Sequence, residues 1–380
     1  MLLAVIPPLF AENWSDWIYR ALTFLVVSCP CALVISVPLS YFGGIGGASK
    51  CGIMVKGANY LEALSKAKVF VFDKTGTLTK GSFAVSEICP VGVSDVELLK
   101  NCAAAEQFSN HPLALSVVNY AKSFSDTDGI PKAENAEELA GRGVSAISDG
   151  KRIAVGNSRL MKDCGVSDSS IPETSAAGTV IHCAVDGVYY GYIEVSDEVK
   201  ENSREALAQL KKLGTEKTVM LTGDRKSAAD KVAAEVGIDE VHSQLLPDGK
   251  VELVEKLYSE KPPKSALCFV GDGMNDAPSL ARADVGIAMG GLGSDAAIEA
   301  ADIVLMNDNI ENIPLGVKIA RKTHRIVTQN IVFALAVKLG VLLITAIGFA
   351  NMWAAVFADV GVSVIAILNA MRAMRIDRKD

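Results

Sequence analysis

The sequence predicts an α/β core with a parallel sheet, an α+β domain inserted into that core, and transmembrane α-helices. Half of the 380 residues are hydrophobic and 21% are charged, a mixture that favours a membrane protein with a large soluble part. Three short apolar runs, 68–72, 218–221 and 266–270, alternate with helical patterns such as 203–213 and 226–236. Strands that alternate with helices indicate a parallel sheet whose ligand site lies at the carboxyl ends of the strands.

The first transmembrane segment is predicted from an uncharged stretch. Residues 21–49 lie between Arg20 and Lys50 without a charge, and about 20 apolar residues suffice to cross a bilayer. Pro30 and Pro38 lie inside the stretch, so we expect this helix to be broken or kinked.

A second apolar block, 331–371, is about twice the length of one span. Its only charged residues are Lys338 and Asp359, and the segment 348–352 offers a turn, so the block predicts a helical hairpin. Basic residues beside both blocks place the soluble segment, roughly 50–325, on the cytoplasmic side by the positive-inside rule.

Composition and the chain start exclude some classes of protein. A net charge of −7 and a pI near 5.3 argue against nucleic acid as a partner. The eight cysteines do not form the even framework of a small secreted domain. Residues 1–10 are apolar without a basic n-region, so they are a poor signal peptide. We expect them to be the end of a membrane helix in a chain truncated at its N-terminus.

The inserted domain is predicted from alternating strand-like runs between about residues 83 and 196. Runs 179–185 and 188–195 flank the turn Asp186-Gly187, and Asp149-Gly150 marks a second turn. The predicted domains are 1–10 (end of a membrane helix), 17–48 (transmembrane), 49–84 and 196–322 (the two parts of the α/β core), 85–195 (the insertion), and 323–348 and 352–373 (transmembrane).

The most specific feature of the chain follows the first predicted strand. An aspartate at a strand end can act as a nucleophile on a phosphoryl group, and the following turn presents N–H groups and hydroxyls to the phosphate. The string is Asp73-Lys74-Thr75-Gly76-Thr77-Leu78-Thr79. Three further motifs follow in order: Thr222-Gly223-Asp224, Lys250 in Pro247-Asp248-Gly249-Lys250, and the run from Gly271 and Asp272 through Asn275 and Asp276 to Pro278.

These four ordered motifs resemble those of the P-type ATPases, within the haloacid-dehalogenase-like superfamily. The resemblance implies that Asp73 becomes an aspartyl phosphate, that Thr222 contacts the phosphoryl oxygens, and that Lys250 offsets their charge. It also implies Mg²⁺ ligands from Asp73, the Thr75 carbonyl and Asp272. Simple phosphatases of the superfamily carry a second Asp where Thr75 stands, so this phosphoenzyme should persist, as a pump requires.

The insertion resembles the nucleotide-binding domain of the heavy-metal ATPases. The resemblance rests on Ser109-Asn110-His111-Pro112-Leu113 and on residues that match the rest of that site. It implies that ATP binds with its adenine held by His111 and Glu106, while glycines allow close backbone approach. The remaining residues of the expected site are Gly141, Gly143, Gly156 and Asn157. The glycine-rich run 43–47 instead indicates helix packing near the membrane surface.

A transported metal is predicted from cysteines within the first span. Pro30 breaks the helix between Cys29 and Cys31, so both thiolates can face one cavity, and thiolates select soft or borderline ions. A charge in a bilayer centre marks a functional site. Asp359 supplies a hard ligand suited to a divalent ion, and Lys338 supplies a counter-charge once the metal has left.

The surroundings of Lys338 and Asp359 resemble the zinc, cadmium and lead branch rather than the copper branch. The sequence thus predicts ATP- and Mg²⁺-dependent export of Zn²⁺, Cd²⁺ or Pb²⁺ by an integral membrane protein, expected in the plasma (inner) membrane. No Thr-Gly-Glu string occurs, so an actuator domain and N-terminal helices would come from a missing N-terminal half. Alternatives are a truncated non-pumping fragment that binds nucleotide and metal, a copper-type pump and a membrane-tethered phosphatase.

Overall fold

The computed structural model describes residues 14–28, 30–109, 111–124, 129–139, 141–172, 178–272, 276–291, 295–347, 353 and 356–376. Its strands are β1 Ile53–Val55, β2 Ala67–Asp73, β3 Thr79–Pro90, β4 Ala133–Leu139, β5 Gly143–Ser148, β6 Lys151–Gly156, β7 Thr179–Val185, β8 Val188–Val199, β9 Lys217–Leu221, β10 Glu240–His242, β11 Ala266–Gly271, β12 Val285–Met289 and β13 Ile303–Leu305.

The described α-helices alternate with these strands through most of the chain. They are α1 Trp14–Ser28, α2 Cys31–Lys50, α3 Ala58–Ser65, α4 Asp95–Glu106, α5 Pro112–Phe124, α6 Ser158–Asp163, α7 Ser203–Lys212, α8 Lys226–Val236, α9 Pro247–Glu260, α10 Ala277–Arg282, α11 Asp295–Ala300, α12 Asn312–Ile347 and α13 Val362–Ala370. A π-helical turn, Phe357–Gly361, precedes α13, and a 3-10 turn, Met371–Met374, follows it.

The first sheet has seven strands in the order β1-β13-β12-β11-β2-β9-β10. All of its pairings are parallel except that of β1 with β13. Successive residues of β2 enter different apolar clusters: Phe70 and Phe72 face α7 and α8, whereas Val69 and Val71 face α9 and α10. Because both faces are covered, β2 is apolar without alternation, as is usual in parallel sheets. The predicted α/β class with a parallel sheet is confirmed.

The second sheet has six antiparallel strands in the order β3-β8-β7-β6-β5-β4. Helices α4 and α5 cover one face through residues such as Leu98, Cys102 and Val117. Both residues of the turn Asp186-Gly187 have positive φ, 49° and 79°, which matches the right-handed twist of a tight hairpin. The paired strands β3 and β8 carry the chain from the first sheet into the second and back again. This α+β unit is therefore an insertion, as the sequence predicts.

The first transmembrane segment is interrupted at Pro30, whose φ and ψ are −84° and 40°. The chain forms α1 before this break and α2 after it, and α2 continues through Pro38 without interruption. A Cβ on Gly44 would lie 2.4 Å from Thr323 Oγ1, so the glycine-rich run reflects close helix packing, as predicted.

The long helix α12 differs from its prediction. It begins at Asn312 and not at 323, so the predicted boundary at 322 falls inside one continuous helix. Ile313, Val317 and Ala320 are buried against the core of the first sheet, and this packing extends the helix beyond the apolar block. By length and composition, α2 and residues Asn312–Thr345 of α12 are long and apolar enough to cross a membrane.

Candidate active site

Asp73 lies at the point where three strands of the seven-stranded sheet end at one level. Its strand β2 pairs with β9 and β11, and the register sets Asp73 beside Leu221 and Phe72 beside Val270. The next residues of the neighbouring strands are therefore Thr222 and the pair Gly271-Asp272. The predicted motif residues thus meet at the carboxyl edge of the sheet, where ligands of such sheets bind.

A lysine lies between two carboxylates in this edge. Lys250 Nζ is 2.5 Å from Asp73 Oδ1 and 2.8 Å from Asp276 Oδ1, and all three side chains are buried. Burial lowers the pKa of Lys250, but the two carboxylates outweigh this and raise it above the ordinary value. Lys250 therefore remains charged beside the candidate nucleophile.

The carboxylates of this edge repel one another. Burial and the charge of Asp276 raise the pKa of Asp73 to about 7, against the opposing effect of Lys250. Burial and Asp276 also raise the pKa of Asp272 to about 6. A cation among these groups would relieve the repulsion.

The same three carboxylates fit a magnesium ion. Oxygen atoms of Asp73, Asp272 and Asp276 lie within 4.8 Å of one another, and Mg²⁺ prefers carboxylate oxygens with octahedral geometry. Asp276 belongs to the predicted motif that contains Asp272, but it was not among the predicted Mg²⁺ ligands. Thr75, from which a carbonyl ligand was predicted, has an exposed side chain.

Gly76 shapes the loop Lys74–Leu78 through lack of a side chain. Its φ is +71°, and a Cβ would lie 1.6 Å from Asp272 Oδ2. No other residue fits so close to the carboxylate. The neighbouring Thr77 hydroxyl is buried, and it has no hydrogen-bond partner in the part of the chain that the structure describes.

Two residues at the end of β8, Asp197 and Lys200, support this loop, and no motif in the sequence pointed to either. Lys200 Nζ donates to the Gly76 carbonyl at 2.7 Å. The single Oγ1–H of Thr79 is shared between the carboxylate of Asp197 and the Lys74 carbonyl. Burial lowers the pKa of Lys200. A charged run at the end of a strand was the only signal in the sequence, since the partners lie more than 100 residues away.

The loop also contacts the segment that follows β9. Lys74 Nζ lies 2.5 Å from Asp224 Oδ2 and 3.7 Å from Asp197 Oδ2. Thr222 is buried, and its Oγ1 accepts from the Asp224 N–H at 3.1 Å. The predicted residues Thr222, Gly223 and Asp224 therefore adjoin the loop that carries Thr75 and Gly76. Asn275, also predicted, lies outside the described residues.

In the insertion, the predicted nucleotide residues lie around the start of α5 and the β5–β6 hairpin. Glu106 ends α4 and is buried, and burial together with Glu138 raises its pKa to about 7. His111 is exposed, and its Nδ1 accepts from the Leu113 N–H at 3.3 Å. His111 thereby caps α5, and its proton is on Nε2, where it can be donated.

Gly143 and Gly156 face each other across the paired strands β5 and β6. A Cβ would lie 2.1 Å from the Val155 carbonyl at Gly143, and 2.1 Å from the Arg142 carbonyl at Gly156. Asn157 Nδ2 donates to the Gly141 carbonyl, while its Oδ1 accepts from two N–H groups of α6. Asn157 thus holds the loop in place, and both polar atoms of its side chain are engaged in hydrogen bonds within the protein.

A cavity of about 970 Å³ separates the two sheets. Lys74, Thr75 and Asp224 line one wall, whereas Asn157 and His182 line the other. Glu106 and His111 are not among the described residues that line it. The structure therefore brings the loop Lys74–Leu78 to the cavity together with one edge of the insertion.

The membrane residues of the predicted metal site lie where three helices meet. Ala32, Ala334 and Val362 form one buried cluster, joined by Leu33 and Val337. These residues adjoin Cys31 on α2 and Lys338 on α12, and Asp359 lies one turn before Val362.

Two of the predicted charged residues also act on each other. Lys338 interacts electrostatically with Asp359. The structure thus gathers Cys31, Lys338 and Asp359 into one region, whereas Cys29 lies outside the described residues.

Comparisons with known proteins agree with this architecture. Residues 67–284 match the family model of haloacid dehalogenase-like hydrolases. The chain is 53% identical to the cadmium, zinc and cobalt-transporting ATPase of Bacillus subtilis, covering 100% of this chain and 54% of that protein. It is 51% identical to the zinc-transporting ATPase of Synechocystis, covering 97% of this chain and 51% of that protein.

Among solved structures, the chain resembles a zinc-transporting PIB-type ATPase in the E2.Pi state. The TM-score is 0.90 at 38% identity, over 98% of this chain and 61% of that chain. The chain spans about half the length of the curated relatives that it matches.

The chain belongs to the haloacid dehalogenase-like hydrolases. Within that class, its motifs and relatives place it among the heavy-metal P-type ATPases.

Proposed function

We propose that this chain supplies the phosphorylation site, the nucleotide site and part of the metal path of an ATP-driven exporter of divalent soft metals. The observation that carries the proposal is the position of Lys250 between Asp73 and Asp276 at the sheet edge. Phosphoryl transfer requires positioning and charge stabilisation more than covalent help from the protein. An aspartate nucleophile beside a buried ammonium meets that requirement.

In the proposed reaction, a carboxylate oxygen of Asp73 attacks the γ-phosphorus of ATP. A bond forms between this oxygen and phosphorus, the bond to the β,γ-bridging oxygen breaks, and ADP leaves with the electron pair. Lys250 offsets negative charge on the transferred group. The Thr77 hydroxyl and the N–H groups of its loop are available as donors. Mg²⁺, held by Asp73 and Asp272 with Asp276 beside them, would supply further charge neutralisation.

The insertion, proposed as residues 85–195, would bind the adenosine part of ATP. The Nε2–H of His111 is a donor for a purine nitrogen, and Glu106 lies at the end of the preceding helix. Gly143 and Gly156 allow the backbones of β5 and β6 to pack closely. The adjacent loop at Gly141 is held by the hydrogen bond from Asn157. We assign these residues to nucleotide recognition and positioning.

The transported ion would be held by Cys29, Cys31 and Asp359, with Lys338 as the counter-charge. Cys31 is disulfide-bonded in this structure, so the proposed site requires its reduced form. Thiolate and carboxylate ligands together suit Zn²⁺, Cd²⁺ and Pb²⁺. The relatives named for zinc and cadmium transport support the first two ions, and the ligand chemistry extends the proposal to Pb²⁺. We place the pump in the plasma membrane, where it would act with the remainder of a longer pump.

Substitution Asp359→Asn tests this function in the membrane-inserted protein. It keeps the size of the side chain and removes its charge. We expect Zn²⁺-stimulated phosphorylation by ATP to fall at least about 10-fold, because the loss of a metal ligand, or of a group that orients one, has an effect of this size. Acid-stable ³²P labelling measures the effect across Zn²⁺ concentrations. Leu339→Met, at an exposed neighbour of Lys338, is the matched control. Full Zn²⁺ stimulation in Asp359→Asn would refute the metal assignment.

A further inference from the structure

A second cavity lies beside the N-terminal half of α12, far along the chain from the residues of phosphoryl transfer. It encloses about 520 Å³ between α12, the end of α7 and the segment after α13. Its apolar side consists of leucine and isoleucine side chains of α12 together with Ala373 and Ile376. Its cationic side consists of Lys318, Arg321, Lys322, Arg325 and Arg372. None of the described residues that line it carries a carboxylate.

Three of the five cations of this lining, Arg321, Lys322 and Arg372, donate to neutral oxygens. Arg321 donates to the carbonyls of Ser65 and Leu213. Lys322 Nζ donates to the Arg375 carbonyl at 2.6 Å, and Arg372 Nη1 donates to Asn369 Oδ1 at 2.7 Å. These contacts fix the side chains without neutralising them. The cavity therefore combines strong positive charge with an apolar wall.

The cavity lies where the surface of both helices changes from cationic to apolar. On α12, Arg325 is exposed, and exposed apolar side chains begin at Val332. Seven helical residues rise about 10 Å, which is on the scale of the polar layer that borders the hydrocarbon of a bilayer. In the second segment, Leu368 of α13 is 61% exposed, and Arg372 follows it by about one helical turn. On α12 and on the segment formed by α13 and the turn after it, the exposed surface thus changes from apolar to cationic over a short distance.

A hydrogen bond confirms that these two segments are level with each other. Asn369 Nδ2 donates to Asn330 Oδ1 at 2.9 Å, so the end of α13 is joined to α12 directly below the cationic residues. The cavity is therefore a cleft between two helices, at the level where their exposed surfaces change from cationic to apolar.

We propose that this cavity binds the headgroup of an anionic glycerophospholipid. Guanidinium groups match phosphate oxygens with paired hydrogen bonds, and basic pockets between membrane helices bind anionic headgroups. The first acyl methylenes would cover the isoleucine side chains, which a soluble anion would leave in water. Because Arg321 also holds Ser65 and Leu213, the occupied site would join the bilayer surface to the catalytic core. The inference rests on the proposed membrane location and is independent of the metal.

The test uses the full chain in nanodiscs of phosphatidylcholine with a minor fraction of phosphatidylglycerol. The double variant Arg325→Gln/Arg372→Gln removes two cations that do not contact the catalytic core. Lys162→Gln/Lys256→Gln is the matched control, because these exposed lysines lie outside the cavity and their loss changes the net charge equally. Native mass spectrometry counts the lipid retained, and melting temperature and disc incorporation are measured on the same samples.

We expect the double variant to bind phosphatidylglycerol about 30-fold more weakly, roughly fivefold for each arginine. The control should bind like the wild type, and inorganic phosphate should not displace the lipid. Equal retention by the double variant, or displacement by inorganic phosphate, would overturn the lipid site. Failure of the wild-type chain to enter discs would instead refute the membrane location together with the site. If the wild-type chain enters the discs and retains lipid but shows no Zn²⁺-stimulated phosphorylation, only the proposed metal transport is refuted.

Discussion

The carboxyl edge of the first sheet, where Asp73 lies, and the insertion differ in whether their buried charged side chains form ion pairs. At the edge, Lys250 bridges Asp73 and Asp276, and Lys74 pairs with Asp224. In the insertion, Glu106 is buried and forms no ion pair with any residue that the structure describes. Its pKa is raised because burial penalises the ionised form and Glu138 repels it.

The two regions also use glycine differently. Gly76 makes room for a charged side chain, Asp272, whereas Gly143 makes room for the backbone of the adjacent strand. Under the proposed function, the first region holds charges ready for a reacting phosphoryl group, and the second forms a backbone surface for the nucleotide. Substitutions at the edge should therefore reduce the rate of phosphorylation, while those in the insertion should reduce nucleotide affinity or stability.

The largest effect is expected for Gly76→Ala. The new Cβ would overlap the Asp272 carboxylate and displace either the loop or the carboxylate. A misplacement of about 1 Å at a reacting centre costs on the order of 100-fold in rate, so acid-stable phosphoenzyme should form at least about 100-fold more slowly.

The control for that prediction is Gly81→Ala. Gly81 has a similar φ, +67°, but its nearest heavy atom would be 3.4 Å from a Cβ. It therefore separates backbone strain, which is about 1–2 kcal/mol for a residue with a side chain, from overlap with Asp272. Equal slowing in both variants would show that strain alone explains the effect.

A smaller effect is expected for Gly143→Ala, in ATP affinity and stability. The Cβ would lie 2.1 Å from the Val155 carbonyl, so the paired strands must separate, at a cost of about 3 kcal/mol. We expect ATP to bind at least about 10-fold more weakly, measured by titration with a fluorescent ATP analogue. Gly141→Ala, at φ +70° with open space around it, should change affinity little. Equal losses in the two variants would contradict the backbone-contact explanation.

The smallest effect is expected for Glu106→Gln, and its sign depends on pH. Because the pKa of Glu106 is raised to about 7, the folded protein binds a proton here more tightly than the unfolded chain does. The resulting stabilisation is complete below the unfolded pKa near 4.5 and is lost as pH rises to about 7. Glu106→Gln should therefore be more stable than the wild type at pH 8, by at most about 3 kcal/mol at about 1.4 kcal/mol for each pKa unit, and similar to it at pH 5.

Urea unfolding at both pH values measures this difference, with Glu134→Gln as an exposed control. A variant that is less stable than the wild type at pH 8 would show that Glu106 is ionised and stabilising in the fold.

Much of the fold could be predicted because its signals are local. The apolar runs before Asp73, Thr222 and Gly271 are strands β2, β9 and β11, and Asp186-Gly187 forms the predicted tight turn. Motif order placed the active-site residues on one sheet edge, since parallel strands end together. Membrane helices were visible from their uncharged stretches.

The rest depends on contacts between distant residues. Asp197 and Lys200 support the loop Lys74–Leu78, although they lie more than 100 residues away in the sequence. Helix α12 extends back to Asn312 because one face packs on the core, although the cations along it obscure that packing in the sequence. Asn157 uses its side chain to hold the Gly141 loop, a role that no motif expresses.

The proposed function depends on the transfer of a phosphoryl group from ATP to Asp73. The most direct measurement is to trap the phosphoenzyme, reduce it with borohydride and identify the modified residue by mass spectrometry. The modification should fall on Asp73 alone and vanish in Asp73→Asn, while the exposed control Asp230→Asn labels normally. Modification at another residue, or undiminished labelling of Asp73→Asn, would contradict phosphoryl transfer to Asp73.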